Sequence, residues 1–376
     1  MMSARFLTVV LERAFNMRDG FGREIDYMRI SVIDSCNLNC YYCNPCNNNE
    51  HCHALNILSV KEVLCIVRAA TRLGIKHFRL TGGEPLLHPQ LDEMVLQIKK
   101  IPGVSSVSLT TNAVLLAQHA KWLKEAGIDS INVSLDTIDA SEYERITKKP
   151  LLEEVKHGIN AAIECGIRVK INVVLTPQTD VVALTRYVAK KGTDIRFIEM
   201  MPVGEGHTNG VEPYKKVIGT LSKLYGEPCR INTEKTKEIN SGNDKRKIPD
   251  NGPAEYYIFP ELGIRVGLIQ AIHGKFCDTC NRIRVTADGR LMPCLGSSVT
   301  MDLVPDSWDF ADDVEKDFSI VRALRAAIKA KPRCHNFNDN AVTYTKTTET
   351  KTTETKTTEI EAAEVNAARN MSRIGG

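Results

Sequence analysis

Segments with the character of β-strands alternate with amphipathic helical segments along the first half of the chain, starting near Tyr27. The strand-like segments are rich in β-branched residues, and glycines follow several helical segments, where helices commonly end. Strand–helix–strand units form parallel sheets through right-handed crossovers, so this pattern predicts an α/β fold. The predicted strands are 28–33, 77–80, 106–110, 130–135, 168–175 and 195–200, and the predicted helices are 60–73, 90–101, 115–126, 153–165 and 180–191.

The number of strand–helix units limits the kind of barrel that the chain can form. Six units fall short of the eight of a closed barrel, so we expect an open, partial (βα)6 TIM-like barrel. In such sheets the chemistry lies at the C-terminal ends of the strands. After a predicted helix at 213–225, the polar stretch 233–252 predicts a domain boundary. The predicted organisation is an N-terminal extension (1–20), the partial barrel (21–232), a smaller C-terminal domain (233–340), a low-complexity tether (341–370) and a double-glycine tail (371–376).

Composition and charge exclude several classes of function. The 376 residues suffice for a large core, and 43% hydrophobic with 25% charged residues is typical of a globular protein. The net charge of +3 gives no general attraction to nucleic acid or to a membrane surface. The sequence has no apolar run of about 20 residues and no evident export signal. We therefore expect a cytoplasmic protein with reduced thiols and no nucleic-acid or membrane partner.

A repeated segment near the C-terminus has the composition of a disordered chain. The sequence TKTTE occurs three times in succession at Thr345–Glu359, and it contains no apolar residue. Such a segment cannot bury a core, so we expect a flexible tether before the final residues.

Six of the twelve cysteines form two sets of three with different spacings. The first set has the pattern C-x3-C-x2-C and the second the pattern C-x2-C-x13-C. Three thiolates can hold three corners of a cubane iron–sulfur cluster, which leaves one iron open for another ligand. The first set is Cys36, Cys40 and Cys43, and the second is Cys277, Cys280 and Cys294.

A zinc site is the alternative interpretation of each set. Structural zinc takes four ligands and favours paired C-x2-C knuckles, which the first set matches poorly. For the second set, spacing alone leaves zinc and a cluster open. The candidate fourth ligands are Cys46, His51, Cys52 and His53 for the first set, and His273, Cys334 and His335 for the second.

A glycine pair follows the second predicted strand, in the string GGEP at Gly82–Pro85. Glycines let backbone groups approach a ligand closely, because they carry no Cβ atom. Taken alone, this string is also compatible with a simple tight turn.

Together these motifs resemble a known superfamily. The first cysteine set with Tyr42 before its last cysteine, followed by LTGGEPLL, resembles the radical S-adenosylmethionine (SAM) superfamily. The second set, with the string NRIR at 281–284 after its second cysteine, resembles the GTP 3′,8-cyclase family, which includes molybdenum cofactor biosynthesis protein A. The strings FGREIDYMRISV, INVSLD, IRFIEMMPVG and the terminal MSRIGG also look like that family, and the resemblance covers about 21–337 and the last six residues.

The resemblance implies two [4Fe–4S] clusters, one per cysteine set, with SAM as cofactor and GTP as substrate. The implied reaction is the first step of molybdenum cofactor biosynthesis, a lyase reaction that forms a 3′,8-cyclic dihydro-GTP. SAM is cleaved in it to 5′-deoxyadenosine and methionine. The implied partners are an electron donor and a cyclic pyranopterin synthase that receives the product, and a homodimer is compatible with the resemblance.

The resemblance also implies roles for individual residues in this sequence. Arginine forks suit phosphate oxygens, and the double-glycine tail of the family enters the active site and assists catalysis. The implied SAM contacts are Gly83, Thr110, Ser134, Lys170 and Met201; the GTP contacts are Arg29, Arg79, Arg196, Arg282 and Arg284; the catalytic residues are Arg282, Arg284, Gly375 and Gly376.

The chain departs from the family pattern at several positions. The family usually has a lysine where His77 stands, and Lys76 is a candidate to replace it. The family often reads TDRCN where this chain has IDSCN at 33–37, and Ala113 replaces the glycine of a TTNG string, which predicts a backbone without positive φ there. These departures leave open a two-cluster radical SAM paralogue acting on a peptide or another small molecule, and a zinc-stabilised binding protein without enzymatic activity.

Overall fold

The computed structural model describes residues 17–43, 56–202, 212–231, 252–297, 299–303, 313–335 and 337. The TKTTE repeats, Gly375, Gly376 and the candidate ligands Cys46, His51, Cys52 and His53 lie outside these residues. The strands are β1 (Tyr27–Ser31), β2 (His77–Thr81), β3 (Ser106–Thr111), β4 (Ser130–Ser134), β5 (Val169–Leu175), β6 (Asp194–Glu199), β7 (Cys229–Arg230), β8 (Glu255–Ile258), β9 (Arg265–Ile269), β10 (Arg282–Val285), β11 (Arg290–Met292) and β12 (Met301–Asp302). The helices are α1 (Val60–Arg72), α2 (Leu91–Lys99), α3 (Leu116–Glu125), α4 (Ala140–Thr147), α5 (Leu152–Glu164), α6 (Val181–Lys190), α7 (Pro213–Tyr225) and α8 (Asp313–Lys329).

The described strands form one 12-stranded sheet in the order β12-β11-β10-β1-β2-β3-β4-β5-β6-β9-β8-β7. Strands β1 to β6 are parallel neighbours in chain order, as the alternating pattern predicts. Strand β10 adds in parallel beside β1, and β9 adds in parallel beside β6. The remaining strands extend both edges in antiparallel fashion. The sheet is open, and strands from the C-terminal part of the chain complete it at both ends.

The six predicted strands are confirmed to within two residues, and so are the six predicted helices. Helix α8 was not predicted, and neither was helix α4. Its N-cap is Asp139, whose carboxylate accepts a hydrogen bond from the backbone N–H of Glu142 at 2.8 Å. It buries Tyr143 and Ile146. The predicted domain boundary at residue 232 lies outside the described residues and stays a prediction.

The two faces of the central strands differ in polarity. On β4, Ile131 and Val133 are fully buried in the core that the helices cover, while Asn132 between them points to the opposite face. The register places polar residues of neighbouring strands on that same face. We call it the inner face; it carries Arg284, Arg29, Arg79, Ser108, Thr110, Asn132, Lys170, Asn172 and Arg196.

The described helices include none that is both long and apolar enough to cross a membrane.

Candidate active site

The first cysteine set lies on a loop that leaves the C-terminal end of β1. Asp34 fixes this loop, because its carboxylate accepts a hydrogen bond from the side-chain amide of Asn56 at 2.7 Å. The GGEP turn holds the loop from the other side. There the backbone N–H of Glu84 donates to the carbonyl of Ser35 at 2.7 Å. The cysteines are therefore presented by a backbone with hydrogen bonds on both sides.

The glycine pair in this turn allows two backbone segments to touch. A Cβ atom added to Gly83 would lie 2.1 Å from the carbonyl oxygen of Ser35, and one added to Gly82 would lie 2.4 Å from that of Ile33. Real Cβ atoms do not come this close to backbone oxygens. The sequence suggested close approach to a ligand; the structure shows close approach to the chain that leads to the cysteines.

Glu84 links this turn to the end of β3. It is 1% exposed and accepts hydrogen bonds from the hydroxyl of Thr111 and the backbone N–H of Asn112, both at 2.7 Å. Burial raises the pKa of Glu84 to about 7, and these hydrogen bonds oppose the rise. The Asn112 amide in turn donates to Asn37 at 2.7 Å and lies 3.8 Å from the Cys36 sulfur. A chain of hydrogen bonds thus connects the turn, β3 and the first cysteine set.

The expectation for Ala113 is wrong, because its backbone has φ 65°. Hydrogen bonds hold this left-handed turn: the Ala113 N–H donates to the Thr111 hydroxyl at 2.9 Å, and the Val114 N–H to the Asn112 side chain at 3.0 Å. Against Gly158 of α5 the packing is tight, since a Cβ there would lie 2.4 Å from the Ala113 carbonyl oxygen. Surrounding contacts therefore impose a conformation that alanine disfavours.

The thiols of the first set are free and lie near one another. Desolvation by the surrounding protein raises the pKa of Cys36 to about 12 and of Cys43 to about 11, and it raises the pKa of Cys40 further. A neighbouring thiol of the set also raises the pKa of Cys36 and that of Cys40. A bound cationic iron centre would reverse this preference, because it stabilises thiolates. The chemistry of this donor set therefore fits a cluster.

Among the described residues, no three Cys, His, Asp or Glu side chains are placed so that they could share one metal ion. A single zinc ion would draw its thiolates to within about 4 Å of one another, since each Zn–S bond is about 2.3 Å. In a cubane each thiolate binds its own iron, so the sulfurs lie farther apart.

A pocket opens beside the first set, at the C-terminal ends of β3 and β4. Tyr42, the aromatic residue of the cysteine motif, donates a 2.5 Å hydrogen bond to Asp136. The other carboxylate oxygen of Asp136 accepts from the backbone N–H of Val174 at 2.8 Å. Burial raises the pKa of Asp136 to about 6. Residues lining the pocket include Cys40, Tyr42, Asn112, Ser134, Asp136 and Tyr143.

Three arginines lie side by side on the inner face. Arg284 of β10, Arg29 of β1 and Arg79 of β2 are paired in register on adjacent parallel strands. The pKa of Arg29 lies well below its usual value. Burial is the largest cause, and the positive charges of Arg284 and Arg79 lower the pKa further. Burial, and then Arg282, lower the pKa of Arg284 to about 10. Like charges held together out of water favour an anion between them. We call Arg284, Arg29 and Arg79 the arginine row.

Arg196 and Arg284 on this face leave N–H groups for a ligand. Arg196 donates from Nε to Asn172 at 2.9 Å, while its buried Nη2 has no hydrogen-bond partner among the described residues. Nη1 of Arg284 is likewise buried and has no such partner within the described ranges. Gly267 leaves room for Arg196, since a Cβ there would lie 2.7 Å from its side chain.

The second cysteine set is held by cations at the start of β10. Burial opposes ionisation of Cys280, but Arg282 and Lys331 outweigh it and lower the pKa of Cys280 to about 7. The ammonium of Lys331 is buried and donates to the carbonyls of Arg282 at 2.8 Å and Pro293 at 2.7 Å. Lys331 thus joins the segments that carry Cys280 and Cys294.

The two histidines considered as zinc ligands for this set already have other partners. His335 Nε2 lies 2.7 Å from the carbonyl oxygen of Ala271, and His273 is hydrogen-bonded to the buried carboxylate of Glu199. Cys334 is exposed. Neither imidazole is therefore presented to the second set through these nitrogens.

The two cysteine sets lie at opposite ends of the same pair of strands. The first set follows the C-terminal end of β1, whereas Cys280 precedes the N-terminal end of β10, which is parallel to β1. The backbone N–H of Tyr27, at the start of β1, donates to the carbonyl of Asn281 at 3.3 Å. The arginine row lies on the strands between the two sets.

Two family models match the chain, and curated proteins of similar length are its relatives. Residues 30–183 match the Radical SAM superfamily, and residues 193–337 match Molybdenum Cofactor Synthesis C. The GTP 3′,8-cyclase of Clostridium perfringens (strain SM101 / Type A) is 35% identical over 324 residues, which cover 85% of this chain and 95% of that protein. Those of Petrotoga mobilis and Peptoclostridium acidaminophilum are 35% and 37% identical over 86% and 85% of this chain, and 96% and 94% of theirs.

The chain belongs to the GTP 3′,8-cyclase family. As a radical SAM protein of the molybdenum cofactor pathway, it uses SAM and an iron–sulfur cluster.

Solved structures agree with the fold. Streptococcus suis SuiB bound to SAM superposes with a TM-score of 0.53 at 15% identity, over 80% of this chain and 65% of that longer one. SuiB bound to the precursor peptide SuiA also gives 0.53, at 14% identity, over 86% and 69% of the two chains. At these identities the likeness shows the α/β fold alone.

The structure brings most of the predicted site residues of this GTP 3′,8-cyclase family member to one region. Ser134 lines the pocket beside Cys40, and Gly83 lies in the turn against the cysteine loop. Thr110 and Lys170 lie in one row of the inner face. Met201 is half-buried just beyond β6.

His77 differs from the family lysine in charge as well as in shape. Burial lowers the pKa of His77, which disfavours the charged imidazolium. Its Nδ1 lies 2.8 Å from the Ser106 hydroxyl. Lys76 does not replace the missing charge on the inner face, because it precedes β2 and its ammonium lies 3.9 Å from Asp26.

Sequence reasoning missed several residues around the site. Glu84, Asn112 and Asp136 join the first cysteine set to neighbouring strands, and Lys331 does the same for the second. Asp136 had a visible signal, because it ends the string INVSLD at the C-terminal end of a predicted strand. Lys331 had none, since a lysine near the end of a helix is usually a surface charge.

Proposed function

We propose that this chain is a GTP 3′,8-cyclase. It converts GTP to (8S)-3′,8-cyclo-7,8-dihydroguanosine 5′-triphosphate, with cleavage of SAM to 5′-deoxyadenosine and methionine. The observation that supports this proposal best is the arginine row on the inner face, between two cysteine sets at opposite ends of β1 and β10. This arrangement suits a triphosphate and a base held between two metal centres.

The proposal includes one [4Fe–4S] cluster at each cysteine set. Cys36, Cys40 and Cys43 would hold the first, and Cys277, Cys280 and Cys294 the second, whose open iron is assigned to the guanine base. When bound, the first cluster and SAM would supply the radical chemistry that hydrogen removal at C3′ of the ribose requires.

The protein's own contribution is to bind the triphosphate and exclude water. Desolvated guanidiniums bind phosphate oxygens strongly. Each phosphate contact replaces hydrogen bonds to water that the guanidinium lost on burial. In this proposal, Arg29, Arg79 and Arg196 hold the phosphates, while Arg282 and Arg284 contact GTP next to the second cluster. A bound nucleotide fixed in this way has its ribose held in one orientation for hydrogen removal.

Several further parts of the proposal come from the family. Gly83, Thr110, Ser134, Lys170 and Met201 are assigned to SAM, and the tail residues Gly375 and Gly376 to catalysis. An electron donor, a cyclic pyranopterin synthase that takes the product and a homodimeric state complete it.

The decisive experiment is an anaerobic assay. Protein reconstituted with iron and sulfide would be incubated with SAM, GTP and a strong reductant, and the products analysed by mass spectrometry. We expect an isomer of GTP together with 5′-deoxyadenosine. Formation of 5′-deoxyadenosine with GTP unchanged would instead favour the paralogue acting on a peptide or another small molecule.

The second cluster has its own test. The variant Cys294→Ser should retain SAM binding and lose product, with bound iron falling from about eight to about four atoms per chain. Cys229→Ser is the matched control, because Cys229 is exposed and belongs to neither set. Product at the normal yield from Cys294→Ser would refute the second cluster's role.

A further inference from the structure

One fully buried amide on the inner face lacks any hydrogen-bond partner in the described part of the protein. Asn132 on β4 is 0% exposed, and neither Nδ2 nor Oδ1 has a partner there. Its neighbour Thr110 is 8% exposed, and the buried hydroxyl of Thr110 lacks a partner among the described residues as well. Folded proteins rarely leave buried donors and acceptors unpaired, because burying them without a partner costs free energy. A ligand that binds both groups would offset this cost.

The register places Asn132 between the two parts of the proposed site. Ser108 lies at the level of the arginine row, paired with Arg79. Thr110 is two residues farther along the same strand and pairs with Asn132. Two residues of a strand span about 7 Å. Asn132 is therefore one layer above the arginine row, towards the end of the sheet that carries the first cysteine set.

The chemistry of this layer differs from that of the arginine row. An amide side chain offers two donors and an acceptor in one plane, and it carries no charge. Such a group matches a hydroxyl pair or the edge of a base, whereas phosphates are matched by the arginines. The layer also contains Lys170, which pairs with Asn132 in register.

On the basis of the proposed function, we infer that Asn132 is a binding residue for the nucleoside part of a ligand, through hydrogen bonds from both amide atoms to its ribose or base. Two ligands of that chemistry belong to this site, GTP and SAM, and separate binding measurements distinguish them. The unpaired amide destabilises the ligand-free protein, and the bound nucleoside completes its hydrogen bonds.

The test separates binding from stability with the variant Asn132→Leu. Leucine has a similar shape without polar atoms, so it removes the unpaired groups without creating a cavity. For cluster-loaded protein under anaerobic conditions, we expect the ligand-free variant to unfold at the same or a higher temperature than the wild type. The Kd for GTP or the Kd for SAM should rise roughly 5- to 50-fold, because two hydrogen bonds to the ligand are lost.

Thr193→Val is the matched control. Thr193 is 8% exposed, and its hydroxyl also lacks a hydrogen-bond partner in the described residues, but it precedes β6 and is out of step with the inner-face positions. This variant should stabilise the ligand-free protein and leave both Kd values unchanged. Asn132→Ala provides a second variant in case leucine is not accommodated, with the same expected loss of binding.

Unchanged Kd values for both GTP and SAM in Asn132→Leu would overturn the inference. Failure of the wild-type protein to bind GTP would instead count against the proposed function, and the SAM measurement would still decide the role of Asn132.

Discussion

The guanidinium of Arg23 donates a 2.7 Å hydrogen bond to the carbonyl oxygen of Cys277, although 254 positions separate the two residues. The same nitrogen donates to the carbonyl of Arg333 at 2.9 Å, and the other terminal nitrogen donates to that of Pro332 at 2.6 Å. Nε is paired with Asp19, whose side chain is fully buried. One arginine near the N-terminus therefore fixes the backbone around the second cysteine set.

We expect Arg23→Gln to weaken both the fold and the second metal centre. Removing one partner of a buried ion pair leaves the Asp19 carboxylate unpaired, which should lower the free energy of unfolding by about 3 kcal/mol. Chemical denaturation measures this loss, and iron analysis should show less iron per chain than in the wild type. Arg18→Gln is the control; Arg18 is exposed, so its change should stay within about 0.5 kcal/mol. Full iron loading of Arg23→Gln would contradict the positioning role.

Gly83→Ala should prevent the GGEP turn from closing on the cysteine loop. Its Cβ would meet the Ser35 carbonyl at 2.1 Å, so the two backbones must separate, and we expect a loss of about 3 kcal/mol or more in unfolding free energy. Gly219→Ala in α7 is the matched control. No atom lies within 4 Å of its added Cβ, and helix propensity should stabilise it by about 0.5 to 1 kcal/mol. Equal stability of the two variants would disprove the close approach.

Ala113→Gly should leave the stability nearly unchanged, whereas an alanine-to-glycine change usually destabilises. Glycine relieves the left-handed strain, worth about 1 to 2 kcal/mol, and costs about 0.4 to 1 kcal/mol through the unfolded state. Loss of the buried Ala113 methyl costs about 0.8 kcal/mol more, so the net change measured by denaturation should lie within about 0.8 kcal/mol of zero. Ala161→Gly within α5 should instead lose about 0.5 to 1 kcal/mol. Destabilisation of similar size in both variants would show that Ala113 is unstrained.

His77→Lys should strengthen the binding of GTP at pH 7. The lysine restores a positive charge on the inner face, and a charge-assisted hydrogen bond to a phosphate should lower the Kd for GTP by roughly tenfold. In the wild type, burial lowers the pKa of His77 below 6.5, so the imidazole gains its charge only at lower pH. The advantage of the variant should therefore shrink as the pH falls below 6.5, as binding titrations at several pH values would show. A constant advantage would mean that His77 does not titrate at the site.

The lowered pKa of His77 also makes the free energy of unfolding depend on pH in a defined direction. The folded protein takes up the His77 proton less readily than the unfolded chain, so His77 favours unfolding as the pH falls through 6.5. His88 and His119 are shifted in the same direction, and a comparison of wild type with His77→Asn isolates the contribution of His77. The unfolding free energy of that variant should depend less on pH below 6.5.

The sequence predicted the central strands and helices well because their signal is local. Hydrophobic periodicity and helix-ending glycines place β1 to β6 within two residues. Helix α4 was missed because its eight residues contain few apolar positions at helical spacing. Its capping signal, Asp139 three residues before Glu142, was the available clue.

The candidate site was predictable where motifs are local and not where it is assembled across the chain. Both cysteine sets can be found by spacing, but nothing in the spacing places them at opposite ends of one strand pair. That relationship depends on the pairing of Arg29 with Arg284, which are 255 positions apart. The φ of Ala113 was predicted wrongly because side-chain hydrogen bonds and the contact at Gly158 override the local preference.

The place of β1 between β2 and β10 sets a schedule for folding during synthesis. One edge of β1 must wait until Arg282 has left the ribosome, about 250 residues after Ser31, which takes tens of seconds at roughly 5 to 20 residues per second. During that interval an N-terminal strand is exposed along one side, which makes the nascent chain prone to aggregation and a natural client for chaperones. A chain truncated before residue 282 would keep that edge permanently open, even with all of β1 to β6 and the first cysteine set present.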